Sequence, residues 1–224
     1  MNISENLKHF LRQVPENLCL VAVSKTQSNE NIMQAYNAGH KILGENKVQE
    51  LEKKYTELPK DIQWHFIGHL QTNKVRKIIP FVHLIHGVDR FRLLKEINRQ
   101  AKINDKVQDV LLQFFIATED TKFGFSIEEA TEMLESKEFE ELENIRIVGV
   151  MGMATYTNDE NQIRNEFKAL KSYFDKLKSV YFEDKPYFKE ISMGMSNDFK
   201  IAIEEGSTII RIGSSIFGER DYSK

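Results

Sequence analysis

One cysteine, four prolines, one tryptophan and no long apolar run mark this chain of 224 residues. A single thiol excludes any disulfide within the chain, and its place in the run Leu18-Cys19-Leu20-Val21-Ala22-Val23 predicts a buried, inert side chain. Scarce proline, with no Gly/Ser tract and no charge block, leaves no candidate linker, so residues 1–224 are expected to form a single domain around one large core. No apolar run reaches membrane-spanning length, and Glu5, Lys8, His9 and Arg12 interrupt the N-terminal segment, which argues against a secretory signal core. A net charge of -3, with both signs interspersed, offers no basic face to nucleic acid or to an anionic membrane. The expectation is a soluble, cytoplasmic protein, with small polar ligands left open.

What is present is alternation. Ile3, Leu7, Phe10, Leu11 and Val14 recur at helical spacing until Pro15, which predicts a helix ahead of the first strand. Short apolar strands are then expected at 18–25, 41–45, 62–68, 81–87, 109–118, 145–153, 189–195 and 208–213, each followed by a helical pattern. Alternating strands and helices imply a parallel sheet covered by helices. Eight such units, with no Gly-x-Gly-x-x-Gly after the first strand, fit a closed (βα)8 barrel of the α/β class better than an open doubly wound sheet.

In such a barrel the C-terminal strand ends converge on one mouth, where ligands bind. Two loops there have the composition of an anion cup: Ser192-Met193-Gly194-Met195-Ser196-Asn197-Asp198 after strand seven, and Arg211-Ile212-Gly213-Ser214-Ser215-Ile216-Phe217-Gly218 after strand eight. Glycine admits close backbone approach, serine adds a hydroxyl, and N–H groups at a helix start point outward. The simpler alternative is that Ser196 caps a helix and Gly213 turns the chain. Asp198 is expected to face away from any anion and to stabilise the following helix N-terminus. Lys25 ends the first strand, which adjoins the eighth on closure. Its amine is either a solvated or phosphate-pairing cation, or a nucleophile toward an aldehyde. An aldehyde that bears a phosphate would use both features.

Several stretches resemble the pyridoxal phosphate homeostasis protein family: Ala22-Val23-Ser24-Lys25-Thr26, Gly44-Glu45-Asn46 with Val48-Gln49-Glu50, Trp64-His65-Phe66-Ile67-Gly68-His69-Leu70-Gln71-Thr72-Asn73-Lys74, Ser192-Met193-Gly194-Met195-Ser196, and the Arg211 to Gly218 loop. They span nearly the whole chain in family order. The resemblance implies a single-domain barrel like the N-terminal domain of alanine racemase, with pyridoxal 5'-phosphate (PLP) held as a Schiff base on Lys25. It further implies that Ser196, Gly213 and Ser214 hold the phosphate, that Asn46 lies close to the cofactor, and that Arg211 faces the pyridine nitrogen. Lys47, His69 and Thr72 depart from the family pattern at positions that bear on local packing or partners rather than on the cofactor.

Arginine only donates hydrogen bonds, so a pyridine nitrogen facing Arg211 stays unprotonated and the ring is a weak electron sink. Racemisation on this scaffold also needs a second acid/base, which alanine racemases take from a further C-terminal domain of a partner subunit. This sequence ends at Lys224, and the expectation is that the donor is missing. The leading expectation is therefore a PLP-holding protein, monomeric, that buffers the cofactor or delivers it to PLP-dependent apo-enzymes without dedicated turnover. Its rivals are a racemase-like PLP enzyme and a Schiff-base aldolase acting on a sugar phosphate. His65 and His69 are too far apart along a strand to share a metal, and His83 and His86, expected on opposite faces of theirs, read as packing residues. No metal site is expected.

Overall fold

The computed structural model describes residues 2–118 and 123–218. Helix α1 (Ile3–Leu11) starts on Asn2, whose side chain accepts from the Glu5 N–H, and it buries Ile3, Leu7 and Phe10. It packs on α2 (Asn29–Asn37) and α10 (Ser214–Phe217), where Asn6 Nδ2 donates to Ile216 O at 3.1 Å.

Strands β1 (Cys19–Val23), β2 (Ile42–Glu45), β3 (Gln63–Phe66), β4 (Leu84–Val88), β5 (Gln108–Gln113), β6 (Ile145–Met151), β7 (Glu190–Ser192) and β8 (Ile209–Ile212) form a closed parallel barrel in sequence order. The expected (βα)8 architecture is the observed one. Closure is made by β1 on β8, in a register that pairs Cys19 with Ile209 and Ala22 with Ile212. Between the strands run α3 (Val48–Glu57), α4 (Val75–Ile78), α5 (Phe91–Ile103), α6 (Ile127–Leu134), α7 (Lys137–Glu140), α8 (Glu160–Tyr181) and α9 (Phe199–Glu204).

Side chains alternate across the sheet with period two, and this alternation separates two cores. Leu20, Ala22, Leu43, Trp64, Val110, Leu112, Ile210 and Ile212 pack outward against the helices. Val21, Leu84, Leu111, Val148, Met151 and Ile209 fill the barrel interior as a smaller apolar cluster. One pleat nearer the C-terminal ends the chemistry changes: Leu84 is followed two residues on by His86, Leu111 by Gln113 and Ile209 by Arg211. The barrel thus has a dry floor beneath a polar upper layer.

Several expected boundaries move. Strand β7 stops at Ser192 rather than 195 because Gly194 adopts φ +93°, outside extended geometry. Strand β5 stops at Gln113, beyond which only Phe114 bridges to Phe125. The helix expected at 72–79 is a 3-10 turn, Thr72–Lys74, followed by the single turn of α4. Among the described residues, no helix is long and apolar enough to cross a membrane.

Candidate functional site

A cavity of about 1010 Å³ opens at the C-terminal ends of the strands, and Lys25, Asn46, Ser196, Arg211, Gly213 and Ser214 all line it. The barrel brings together residues that are up to 189 positions apart in the chain only because β8 closes on β1. A second hollow of about 540 Å³ between Glu128, Thr131, Glu132 and Lys176 is lined by helical side chains away from the strand ends. It gathers no such set.

Lys25 sits in a tight turn immediately past β1. The Ser24 N–H donates to Gly44 O at 3.0 Å, and the Gln27 N–H returns to Ser24 O at 3.0 Å. Because inward and outward positions alternate, Ser24 points away from the cavity that Lys25 lines. Its hydroxyl donates to Glu45 Oε1 at 2.5 Å, inside a buried cluster completed by Lys54 and Glu50 of α3. Burial raises the Glu45 carboxyl to about 7, against the lowering effect of Lys54 and of the Ser24 hydroxyl. On the next strand end, Gly68 has no room for a side chain: a Cβ there would lie 2.3 Å from Asn46 O. That close contact sets the backbone of Asn46 against β3.

Arg211 projects from β8 into the polar layer and is buried. Nη1 donates to Ser192 O at 2.9 Å and to Ser192 Oγ at 2.6 Å, and Nη2 donates to Gly152 O at 3.3 Å. All three acceptors are neutral. Burial therefore pulls the guanidinium down to about 10, partly opposed by the charge of Asp198. The chain of contacts continues inward, with Ser192 Oγ 2.9 Å from His86 Nδ1 and His86 Nε2 3.0 Å from His65 Nδ1. Since arginine can only donate, the Ser192 hydroxyl proton is available to His86 Nδ1, and the tautomer that uses it carries the His86 proton on Nε2, facing His65. Both imidazoles are neutral: burial pushes His65 down to about 3 and His86 well below its ordinary value. His83 precedes β4 and is exposed, yet its ring stacks 5.5 Å from that of His65, so His83 and His86 both meet the same neighbour. The opposite-face expectation for this pair overlooked that β4 begins only at Leu84.

The two glycine-serine loops also differ in detail from expectation. Asp198 occupies the N-cap position of α9 but makes no side-chain cap. Its Oδ1 instead accepts the Met195 N–H at 2.5 Å, which closes the Met195–Asp198 turn and brings the carboxylate to the cavity wall. Asp198 does not face away as expected, because the tight turn after Gly194 leaves a nearer N–H to satisfy. Ser196 lies within this turn and is not a helix cap. Gly213 precedes α10, whose first N–H groups have no intrahelical acceptor by helix geometry.

Three features were not read from the sequence: the Arg211-Ser192-His86-His65 chain, the Glu45-Lys54-Glu50 cluster, and a pair at the cavity rim in which His69 Nδ1 meets Asp89 Oδ2 at 2.9 Å. The four-residue spacing of Glu50 and Lys54 on one helix was the only local signal for any of them. Among the described residues, no group of three metal-ligating side chains converges.

Comparison with known proteins agrees with this fold. Residues 1–221 match the family model of the alanine racemase N-terminal domain. The pyridoxal phosphate homeostasis protein of Aquifex aeolicus is 42% identical over 233 residues, covering 99% of this chain and 100% of the relative. The structure of PipY from Synechococcus elongatus with PLP bound superposes with a TM-score of 0.83 at 32% identity, over 96% of this chain and 100% of that one. An alanine racemase from Clostridium difficile shares the fold at a TM-score of 0.77 and 16% identity, with 98% of this chain covering 56% of the racemase. The chain belongs to the pyridoxal phosphate homeostasis protein family.

Proposed function

We propose that this protein binds PLP in the barrel mouth, holds it as a Schiff base on Lys25, and keeps it in the cytoplasm for PLP-dependent apo-enzymes without dedicated turnover of its own. The observation that carries the reading is the convergence of Lys25, Asn46, Ser196, Arg211, Gly213 and Ser214 on one cavity. The PLP bound in PipY and the name shared by the curated relatives support it.

The residues present fit the cofactor. The Lys25 amine would hold the aldehyde carbon by condensation with loss of one water, a bond that hydrolysis would reverse, so the hold would be covalent but recoverable. The Ser196 hydroxyl and the backbone N–H groups at Gly213 and Ser214 are donors suited to a phosphate. Arg211, a buried donor fixed by Ser192 and Gly152, suits an unprotonated pyridine nitrogen. Bound PLP supplies an electron sink for amino-acid chemistry, and a ring nitrogen that receives a hydrogen bond from arginine is a weak one. Asn46 stands beside the same space.

Purified protein loaded with PLP, compared with Lys25→Ala, tests the reading. The wild type is expected to show a visible Schiff-base band that borohydride abolishes with covalent retention of the cofactor, and Lys25→Ala neither. A band of equal strength in Lys25→Ala would overturn it.

A second reading, racemase-like turnover, is favoured by the His69-Asp89 pair, in which a carboxylate orients an imidazole at the cavity rim. Incubating loaded protein with alanine in deuterated water discriminates. Sustained exchange of the α-proton that depends on both Lys25 and His69 would establish turnover, and its absence supports holding alone.

A further inference from the structure

The turn that carries Lys25 is held in an unfavourable conformation. Thr26, the residue after it, has φ +67°. A β-branched side chain at positive φ crowds the backbone, and that position in a turn ordinarily falls to glycine or asparagine. Such strain persists only where the surroundings enforce it.

Here they do so from behind. Glu50 Oε1 accepts the Thr26 N–H at 2.6 Å, and the same oxygen receives Lys54 Nζ at 2.6 Å. Lys54 Nζ also donates to Ser24 O at 2.7 Å and to Glu45 Oε1 at 2.8 Å, while the Ser24 hydroxyl donates to that Glu45 oxygen at 2.5 Å. Both neighbours of Lys25 are therefore gripped by one ion cluster on the outer face of the sheet. The Lys54 and Glu45 side chains are 5% and 0% exposed, so the grip acts where water does not compete. By alternation the cluster and the Lys25 side chain lie on opposite faces of the same strand end. This arrangement ties the orientation of the amine to α3, a rigid element, rather than to the loop.

We infer that Glu50 and Lys54 are positioning residues for Lys25, holding the strained Ser24-Lys25-Thr26 turn so that the amine meets a phosphorylated aldehyde in the cavity already oriented for condensation. The inference rests on the reading that Lys25 holds PLP, and its consequence is kinetic. An amine fixed at the attack geometry condenses faster than one that must be ordered on encounter.

Glu50→Ala tests it, because Glu50 is 23% exposed and its loss leaves Lys54 paired with Glu45 and Ser24 O. PLP itself is the probe, and the Schiff-base band is followed by stopped flow beside the thermal midpoint of the unloaded protein. Loss of orientation is expected to slow band formation about tenfold or more with little change in the midpoint. Glu50→Gln keeps an acceptor for the Thr26 N–H and is expected to restore the rate to within about twofold of wild type. Lys54→Met in a Glu45→Gln background, which removes the buried charges together, is expected to be slow like Glu50→Ala. An unchanged rate in Glu50→Ala, or Glu50→Gln as slow as Glu50→Ala, would overturn the inference. If the wild type forms no band at all, the PLP reading fails instead, so the two failures are distinguishable.

Discussion

Lowering the pH from 6.5 to 5 sets two buried titrations against each other. His65 and His86 are neutral in the folded barrel, with His65 down at about 3 and His86 well below its ordinary 6.5. In the unfolded chain both take up a proton near 6.5. Their stabilising contribution is therefore full above pH 6.5 and is lost as pH falls toward the folded values, at about 1.4 kcal/mol per pH unit for each ring. Over this interval His65 loses about 2 kcal/mol, and His86 adds a loss of the same sign. Glu45 runs the other way, because its folded value of about 7 lies above the ordinary 4.5. Its contribution is full below 4.5 and lost as pH rises through 7, so acidification to pH 5 returns about 2 kcal/mol. The His65 loss and the Glu45 gain are of similar size, so the net loss in the wild type is the part that His86 contributes. His40, also lowered by burial, adds to the loss. Urea denaturation of the unloaded protein at pH 6.5 and 5.0 measures it, and Glu45→Gln isolates the imidazoles by removing the opposing carboxyl. In that variant the loss should exceed that of the wild type by about 2 kcal/mol. A loss below about 1 kcal/mol in Glu45→Gln would refute neutral burial of the imidazoles, and a loss no larger than in the wild type would refute the raised Glu45 carboxyl.

Ser192→Ala removes the hydroxyl shared by Arg211 and His86 and leaves two buried polar groups each short of a partner. The expected cost is about 3 kcal/mol by urea denaturation, and a cost under about 1 kcal/mol would mean that the chain relaxes around the gap. Cys19 is only partly buried, not fully as the sequence suggested, yet it should resist thiol reagents in the native state, since the desolvation it does feel, helped by the nearby Glu190 charge, pushes its thiol up to about 11. At pH 8 only about one thiol in a thousand is then ionised, so labelling by a chromogenic disulfide is expected to be at least about a hundredfold slower than in urea. Comparable rates in the two states would show that the thiol is accessible.

Much of this protein is legible in local pattern. Strands alternating with helices, the absence of a dinucleotide-binding glycine fingerprint, and eight repeats of the unit were enough for a closed barrel. The strand that ends in Lys25 and the two glycine-serine loops were enough for its mouth. These features are local because period-two and period-3.6 patterning records which face of an element each side chain takes. Pattern does not record what waits on the other side. His65 and His86 are 21 residues apart and His86 and Ser192 are 106 apart, and they meet only because strands β3, β4 and β7 face one interior. Asp198 turns to Met195 rather than capping α9 because Gly194 tightens the loop, a choice between two nearby donors that composition leaves open. The strained Thr26 looks in sequence like an ordinary β-branched residue at a strand end. Its conformation is decided by Glu50 and Lys54, which a helix brings across from the next unit. The sequence by itself determined the architecture and the candidate amine, while tertiary closure decided which neutral and charged groups line the cavity beside it and grip the turn that carries it.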